Sequence, residues 1–480
     1  MNRELGERRP LFRPEQRRSN PYRVLLWMLL IGGGVWMFLG LQQGSVEPPF
    51  LPTPTPTRTA LSYTMEGESE FLAGDLASAI AAYQEALRLE PQNARNWAEL
   101  ARIQTYSSSL LSTDPERHQR LQEALDSIDR GVAANPDDVY VIAVRALVLD
   151  WYAASPLLTP VERQSYLNDG EREAARAYNL DLNNALALAY YAEILVDQQK
   201  WGQAQDFIEQ AAGIGQEIMD VHRVYGYVWE SQGQYRAAID EYTKATEINP
   251  NLTFLYIYIG RNFRELQVHN RALENFERAV NINAQLGVED PVPFIEIAKT
   301  YVRDGEFFVA ALNAKKALEF NPFNANTYGQ LGDIYTRSRN FEGALPVLKC
   351  AVTGCSAAEN QVAEEILGEG NGVAVEKLPL TSGTVAFYYL RYGSVLAALS
   401  RPNQNYCPEA LEVLNEVRRA YPEDPIFKSI VDENIAICNL VGREVGAGGT
   451  PAGSVTQTAP QNEPTEEMME EEGMMEESGP

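Results

Sequence analysis

Histidine is almost missing from this chain, with three in 480 residues: His118, His222 and His269. None has a second His, a Cys or a carboxylate at metal-binding spacing, and no HExxH pair, phosphate-loop lysine motif or GxSxG elbow occurs. These absences leave catalytic residues, metal ligands and cofactors without a candidate, so no enzyme is expected. Positive charge is also scarce. Forty Lys and Arg face 66 Asp and Glu, for a formal net charge of −26, a field that repels phosphate backbones and argues against nucleic acid as the ligand. Cysteines number four, and none lies near residue 41, which excludes a lipoprotein attachment site.

What is present starts at the N-terminus. Residues 1–23 carry seven arginines, and residues 24–41 (VLLWMLLIGGGVWMFLGL) are uncharged. As a helix that run would rise about 27 Å, enough to cross most of a bilayer core. Basic residues precede it and none follows until Arg58, which places the N-terminus in the cytoplasm and the bulk of the chain outside, in a bacterial-type cell envelope. A cleaved signal peptide is the alternative. Trp27, Trp36 and a following GLQQGSV in place of a small-residue cleavage site favour an uncleaved transmembrane helix. Residues 42–59 alternate Pro and Thr and read as a semi-rigid extended spacer.

Further on, one period dominates. Ala204, Ala238 and Ala272 are 34 apart, and so are Ala211, Ala245 and Ala279. A repeat of that length implies stacked helical hairpins, each packed only on its neighbours, and moves the functional question from a catalytic site to a binding surface. Within residues 219–252, small Gly226, Ala238 and Ala245 let two helices approach closely, large Trp229 and Tyr242 fill the gaps, and Pro250 ends the second helix. Tyr225 and Gly233 complete the pattern. Followed in both directions, the register counts nine hairpins: eight over residues 60–355 and the last, with a capping helix, over residues 386–441. Two polar insertions, around residues 107–120 and 152–170, loosen the second and third units. A third, residues 356–385, reads as a loop or small hairpin that divides the stack into two rigid pieces; it lacks a nucleophile–base pair. Residues 442–480, Gly- and Pro-rich and then rich in Met and Glu, read as a disordered acidic tail.

This 34-residue pattern resembles the tetratricopeptide repeat (TPR), so the expected fold class is an all-α TPR solenoid. The resemblance implies a concave groove lined by set positions of each first helix. Those positions hold Arg223, Tyr227, Phe254, Arg261, Arg264, Lys299, Arg303, Asn326 and Arg337, with Glu230, Glu265 and Asp333 interspersed. Such a strip suits a protein partner or an acidic peptide, since Arg grips carboxylates with two parallel hydrogen bonds; the alternative is a solvated, self-paired face. The TPR resemblance points to a non-enzymatic interaction scaffold for envelope assembly or quality control, or else to an accessory subunit that docks a catalytic or secretion partner. The complete carboxylate-clamp set of chaperone-binding members is not matched.

An oxidising compartment would permit disulfides. Cys407, opening the last second helix, and Cys438, in the antiparallel capping helix, are placed to meet, and Cys350 and Cys355 are five apart across a helix end. Four reduced, buried thiols are the alternative. The tail carries eight glutamates and four methionines between Glu463 and Glu477; it is either a solubilising segment or a visitor to the basic groove.

Overall fold

The structure is a computed structural model that describes residues 20–42, 58–401 and 403–446. The chain divides into two units, residues 1–58 and 59–480. In the first, α1 spans Pro21–Gln42, slightly longer at both ends than the uncharged run. From Pro21 to Gly40 its mean hydropathy is 1.7, so it is long and apolar enough to cross a membrane by length and composition. Most of the arginine-rich segment, the Pro/Thr spacer and the acidic tail lie outside the described residues.

Among the described residues of the second unit, helices alternate in nine antiparallel pairs. They are α2 (Ala60–Ala73) with α3 (Leu76–Leu89), α4 (Ala94–Ser107) with α5 (Asp114–Ala134), and α6 (Val139–Ala153) with α7 (Pro160–Leu180). Next come α8 (Ala185–Asp197) with α9 (Trp201–Ile214), α10 (Met219–Ser231) with α11 (Tyr235–Ile248), and α12 (Thr253–Glu265) with α13 (His269–Leu286). Then α14 (Val292–Arg303) pairs with α15 (Phe307–Phe320), and α16 (Ala325–Arg337) with α17 (Phe341–Val352). After the short α18 (Gln361–Leu367), α19 (Gly383–Leu399) pairs with α20 (Cys407–Ala420), and α21 (Pro425–Gly446) covers the last pair.

Local chemistry sets these boundaries. Asn93, Thr113, Asp138, Asn184 and Asn324 each accept a backbone N–H at the start of a helix, and Thr159 forms a reciprocal capping box with Glu162. The turns inside the five hairpins from α8–α9 to α16–α17 use a left-handed residue, and that residue keeps the period: Gln199, Gly233 and Gln267, then Gly305 and Arg339 after a four-residue slip. Beyond each, a backbone N–H reaches back to close the helix end, as Gln234 does to Trp229 O at 2.9 Å. The small residues of the repeat are set by close approach. A Cβ on Gly226 would fall 2.7 Å from the Tyr242 ring, and one on Gly260 would fall 2.3 Å from Phe276.

The polar insertions have a structural use. Both α5 and α7 run 21 residues, against 14 in α3 and α9. The 3-10 turn Ser108–Leu110 leads to Ser112, which meets the α15–α16 turn: Asn321 Nδ2 donates to Ser112 Oγ (3.0 Å) and Asn324 Nδ2 to the Ser112 carbonyl (3.2 Å). The α2–α3 turn likewise abuts the α11–α12 turn, where a Cβ on Gly74 would lie 2.3 Å from the Asn251 carbonyl oxygen. Successive turns of the superhelix therefore touch. The 356–385 segment does not divide the stack, because α19 packs directly on α16 and α17 while α18 is carried outside against α15 and α17. Cys355 N–H and Val375 N–H each donate to the other residue's carbonyl, at 3.0 and 2.9 Å, beside a Cys350–Cys355 disulfide with Sγ–Sγ 2.04 Å. Cys407 and Cys438 join α20 to α21 (2.20 Å).

Candidate binding surface on the inner wall

Because the superhelix is tightly wound, its first five hairpins fill their own interior. The helices α6 and α8 are apolar on nearly every side and buried accordingly, Val141 to Ala153 with few breaks and Ala187 to Val196 likewise. Arg223, expected on an open strip, is 2% exposed and grips Glu193 of α8 with two 2.6 Å hydrogen bonds. Its guanidinium lies over the rings of Tyr106 and Trp151, and Trp151 Nε1 donates to the same carboxylate at 3.0 Å. Burial works against the charge of Arg223, but Glu193 outweighs it and holds the guanidinium pKa above its ordinary value. Phe254 packs against Tyr106 and Tyr258, and Tyr227 is buried with its hydroxyl donating to Asp197. Neither faces an open groove.

The same converging helices bring distant polar groups together. Asp220 of α10 accepts from the hydroxyls of Tyr106 and Tyr190 and pairs with Arg102 of α4 at 2.9 Å, across 118 residues. Burial, reinforced by the neighbouring Asp197 and Glu193 carboxylates, pushes Asp150 well above the usual carboxylate range. Asp197 rises to about 7, with burial dominant over the opposing Tyr227 hydroxyl.

From α12 onward the inner wall is different. Glu296 of α14 is buried at 1% exposure, and three cations share it: Arg264 Nη1 at 2.6 Å, Arg261 Nη2 at 3.1 Å and Lys299 Nζ at 3.4 Å. Burial alone would raise the Glu296 pKa, but Arg261, Lys299 and Arg264 together pull it well below the usual range. Arg264 is itself buried, a second correction to the expected strip, while the side chains of Arg261 and Lys299 stay 28% and 29% exposed. Arg303 pairs with Glu265 at 3.2 Å. On α16, Asp333 accepts from Arg337 (2.8 Å) and from Arg391 of α19 (3.0 Å), and Asn326 sits half-buried in the first turn.

Six cations thus meet three carboxylates, Glu265, Glu296 and Asp333, on one wall of a chain whose net charge is −26. Burial pushes the nearby Glu230 carboxyl up, against hydrogen bonds from Asn262 and Tyr242, so it offsets the wall's charge less than an exposed carboxylate would. Sequence reasoning missed Glu193, Glu296 and Arg391. Glu193 had a signal, since it occupies the same place in its repeat as Tyr227 and Arg261, 34 and 68 residues later.

Two stretches of the chain match models of the tetratricopeptide repeat, residues 64–105 and 224–252. No curated protein matches. Among solved structures, a thermophilic TPR protein from Thermus thermophilus is 17% identical, with 44% of this chain and all of that one covered and a TM-score of 0.35. A tetratricopeptide repeat protein from Parabacteroides merdae is 16% identical over 58% of this chain and 98% of that one, with a TM-score of 0.34. The human IFIT1 dimer with PPP-AAAA is 16% identical over 62% and 73%, with a TM-score of 0.40.

Proposed function

This chain is a tetratricopeptide-repeat protein, and from that premise we propose that it is a non-enzymatic, membrane-anchored scaffold whose α12–α19 inner wall binds acidic protein segments. The observation that carries the reading is Glu296, one carboxylate shared by Arg261, Arg264 and Lys299. A wall with more cations than carboxylates attracts an anionic chain, and the Arg groups on it can hold carboxylates in fixed geometry. The buried part of the cluster holds the exposed part in place, which lowers the entropy lost on binding.

The anchor in this reading is α1, with the arginine-rich segment cytoplasmic and the repeats outside, where the Cys350–Cys355 and Cys407–Cys438 bonds would persist. Assembly or quality control in a cell envelope is the setting that such a topology suits. The test is fluorescence anisotropy with a fluorescein-labelled Glu-rich peptide. Lys299→Ala with Arg303→Ala should weaken binding roughly tenfold or more at low salt, in keeping with two lost charge-assisted contacts. Equal affinity of variant and parent would overturn the reading, and retention of the protein in carbonate-washed membranes checks the anchor.

A further inference from the structure

We propose that the chain's own acidic run, Glu463–Glu477, docks in cis on this cationic wall and competes with external acidic segments; the proposal rests on the wall binding acidic peptide. Charge complementarity is the first argument. The run carries eight glutamates, and no Lys or Arg follows Arg443 anywhere in the sequence. It is therefore the most concentrated anionic segment in the chain, and it is covalently tied to the molecule that bears the wall.

Reach is the second argument. Alternate helices of the stack run parallel, so the C-terminal ends of α14, α16, α19 and α21 lie on one side, and Arg303 and Arg337 sit at those ends of α14 and α16. In that row α16 packs on α19 and α19 on α21, and packed helices lie about 8–10 Å apart, which puts the Arg337 helix roughly 16–20 Å from α21, with α14 one hairpin beyond. Helix α21 ends at Gly446, and residues 447–462, rich in Gly, Pro and Thr, precede the run. For a Gly-rich chain of that length, composition and length alone give a root-mean-square span of about 20–24 Å and a full reach of about 50 Å. A linker whose average span is close to the gap gives a high effective concentration, on the order of 1 mM.

Composition is the third argument. Met468, Met469, Met474 and Met475 interrupt the glutamates in two pairs, and methionine adapts to aromatic surface. Tyr235, half-buried near Glu265 and Arg303, offers such surface at the rim of the wall. A glutamate-only run would bind by charge alone. This one also has apolar groups spaced to cover a ring.

The test compares the full chain with a variant ending at Gly446, both in the same detergent, using a fluorescein-labelled synthetic peptide of residues 461–480 as the probe. The truncated protein should bind it with strong salt dependence, and the full chain should bind roughly tenfold more weakly for a free-peptide Kd of about 0.1 mM. A full-length variant with all eight run glutamates changed to Gln should behave like the truncated protein, which separates the effect from any folding defect of the truncation. Carbodiimide should crosslink Lys299 to a run glutamate within one chain. Equal probe affinity for full and truncated proteins overturns the docking and leaves the acidic-peptide reading standing. Failure of the probe on a truncated protein that binds poly-glutamate also overturns the docking alone. If neither peptide binds, both fall, and crosslinks found only between two chains overturn docking in cis.

Discussion

Asp290 gives the sharpest quantitative test of the packing. It sits 3% exposed in the α13–α14 connection, where its carboxylate accepts the Val292 N–H (2.9 Å) and the Asn283 side-chain amide (3.0 Å). Burial outweighs those two bonds and pushes its pKa up to about 7. An unfolded Asp titrates near 3.9. The folded state therefore binds more protons between about pH 4 and 7, so stability from this group is intact below the unfolded value and is lost as pH rises through 7. A gap of about 3 units corresponds to about 4 kcal/mol as an upper figure.

Asp290→Asn removes the titration while the Asn283 amide can rotate to keep two hydrogen bonds. The variant should be more stable than the parent by about 2–4 kcal/mol at pH 8, and the gap should shrink to about 1 kcal/mol or less at pH 4.5. Urea unfolding of both proteins at the two pH values, with hydrogen exchange of the α14 amides as a local readout, measures it. The difference between the two pH values isolates this residue from every other titrating group. A gap that does not change with pH, or a variant less stable at pH 8, would show that the burial argument is wrong.

Three further outcomes follow from the same packing. Glu296→Gln should cost about 3–5 kcal/mol, because it strands buried Arg264 beside Arg261 and Lys299; the loss should appear in thermal melts and should grow at low salt. Gln267→Gly and Arg339→Gly, at left-handed turn positions with φ 59° and 60°, should each raise stability by about 0.5 kcal/mol, since the relieved strain exceeds the added chain entropy; lower melting temperatures would contradict this. Reducing Cys407–Cys438, which closes a 31-residue span, should cost about 3–4 kcal/mol, against about 2 for the five-residue span of Cys350–Cys355. Single-pair Cys→Ser variants compared under oxidising conditions check that ordering.

Much of the fold is visible in the chain because each repeat is built from neighbours in sequence. Gly226 under Tyr242 and Gly260 under Phe276 are 16 residues apart, and a period of 34 carries the contact from one unit to the next. The turn conformation is less visible, since Gln199, Gln267 and Arg339 take the place that Gly233 and Gly305 hold. Register made the backbone of the candidate site readable, because Arg261 and Lys299 occupy the same place in successive units. It could not say which of those residues meet solvent.

The sequence by itself determined the helical pairs, their boundaries, the apolar run before residue 42 and the acidic tail, all of which depend on local propensity, composition and short-range contact. Tertiary structure decided the curvature. Small rotations between hairpins add up over several units until Ser112 meets Asn321 and Asn324, and Arg102 meets Asp220. That accumulated winding buries Arg223 and Phe254, which a straighter stack would have exposed, and it leaves Arg261 and Lys299 partly open around buried Glu296 and Arg303 partly open beside Glu265. The difference between a filled interior and a charged wall comes from angles summed across the whole stack, and no single 34-residue unit contains them.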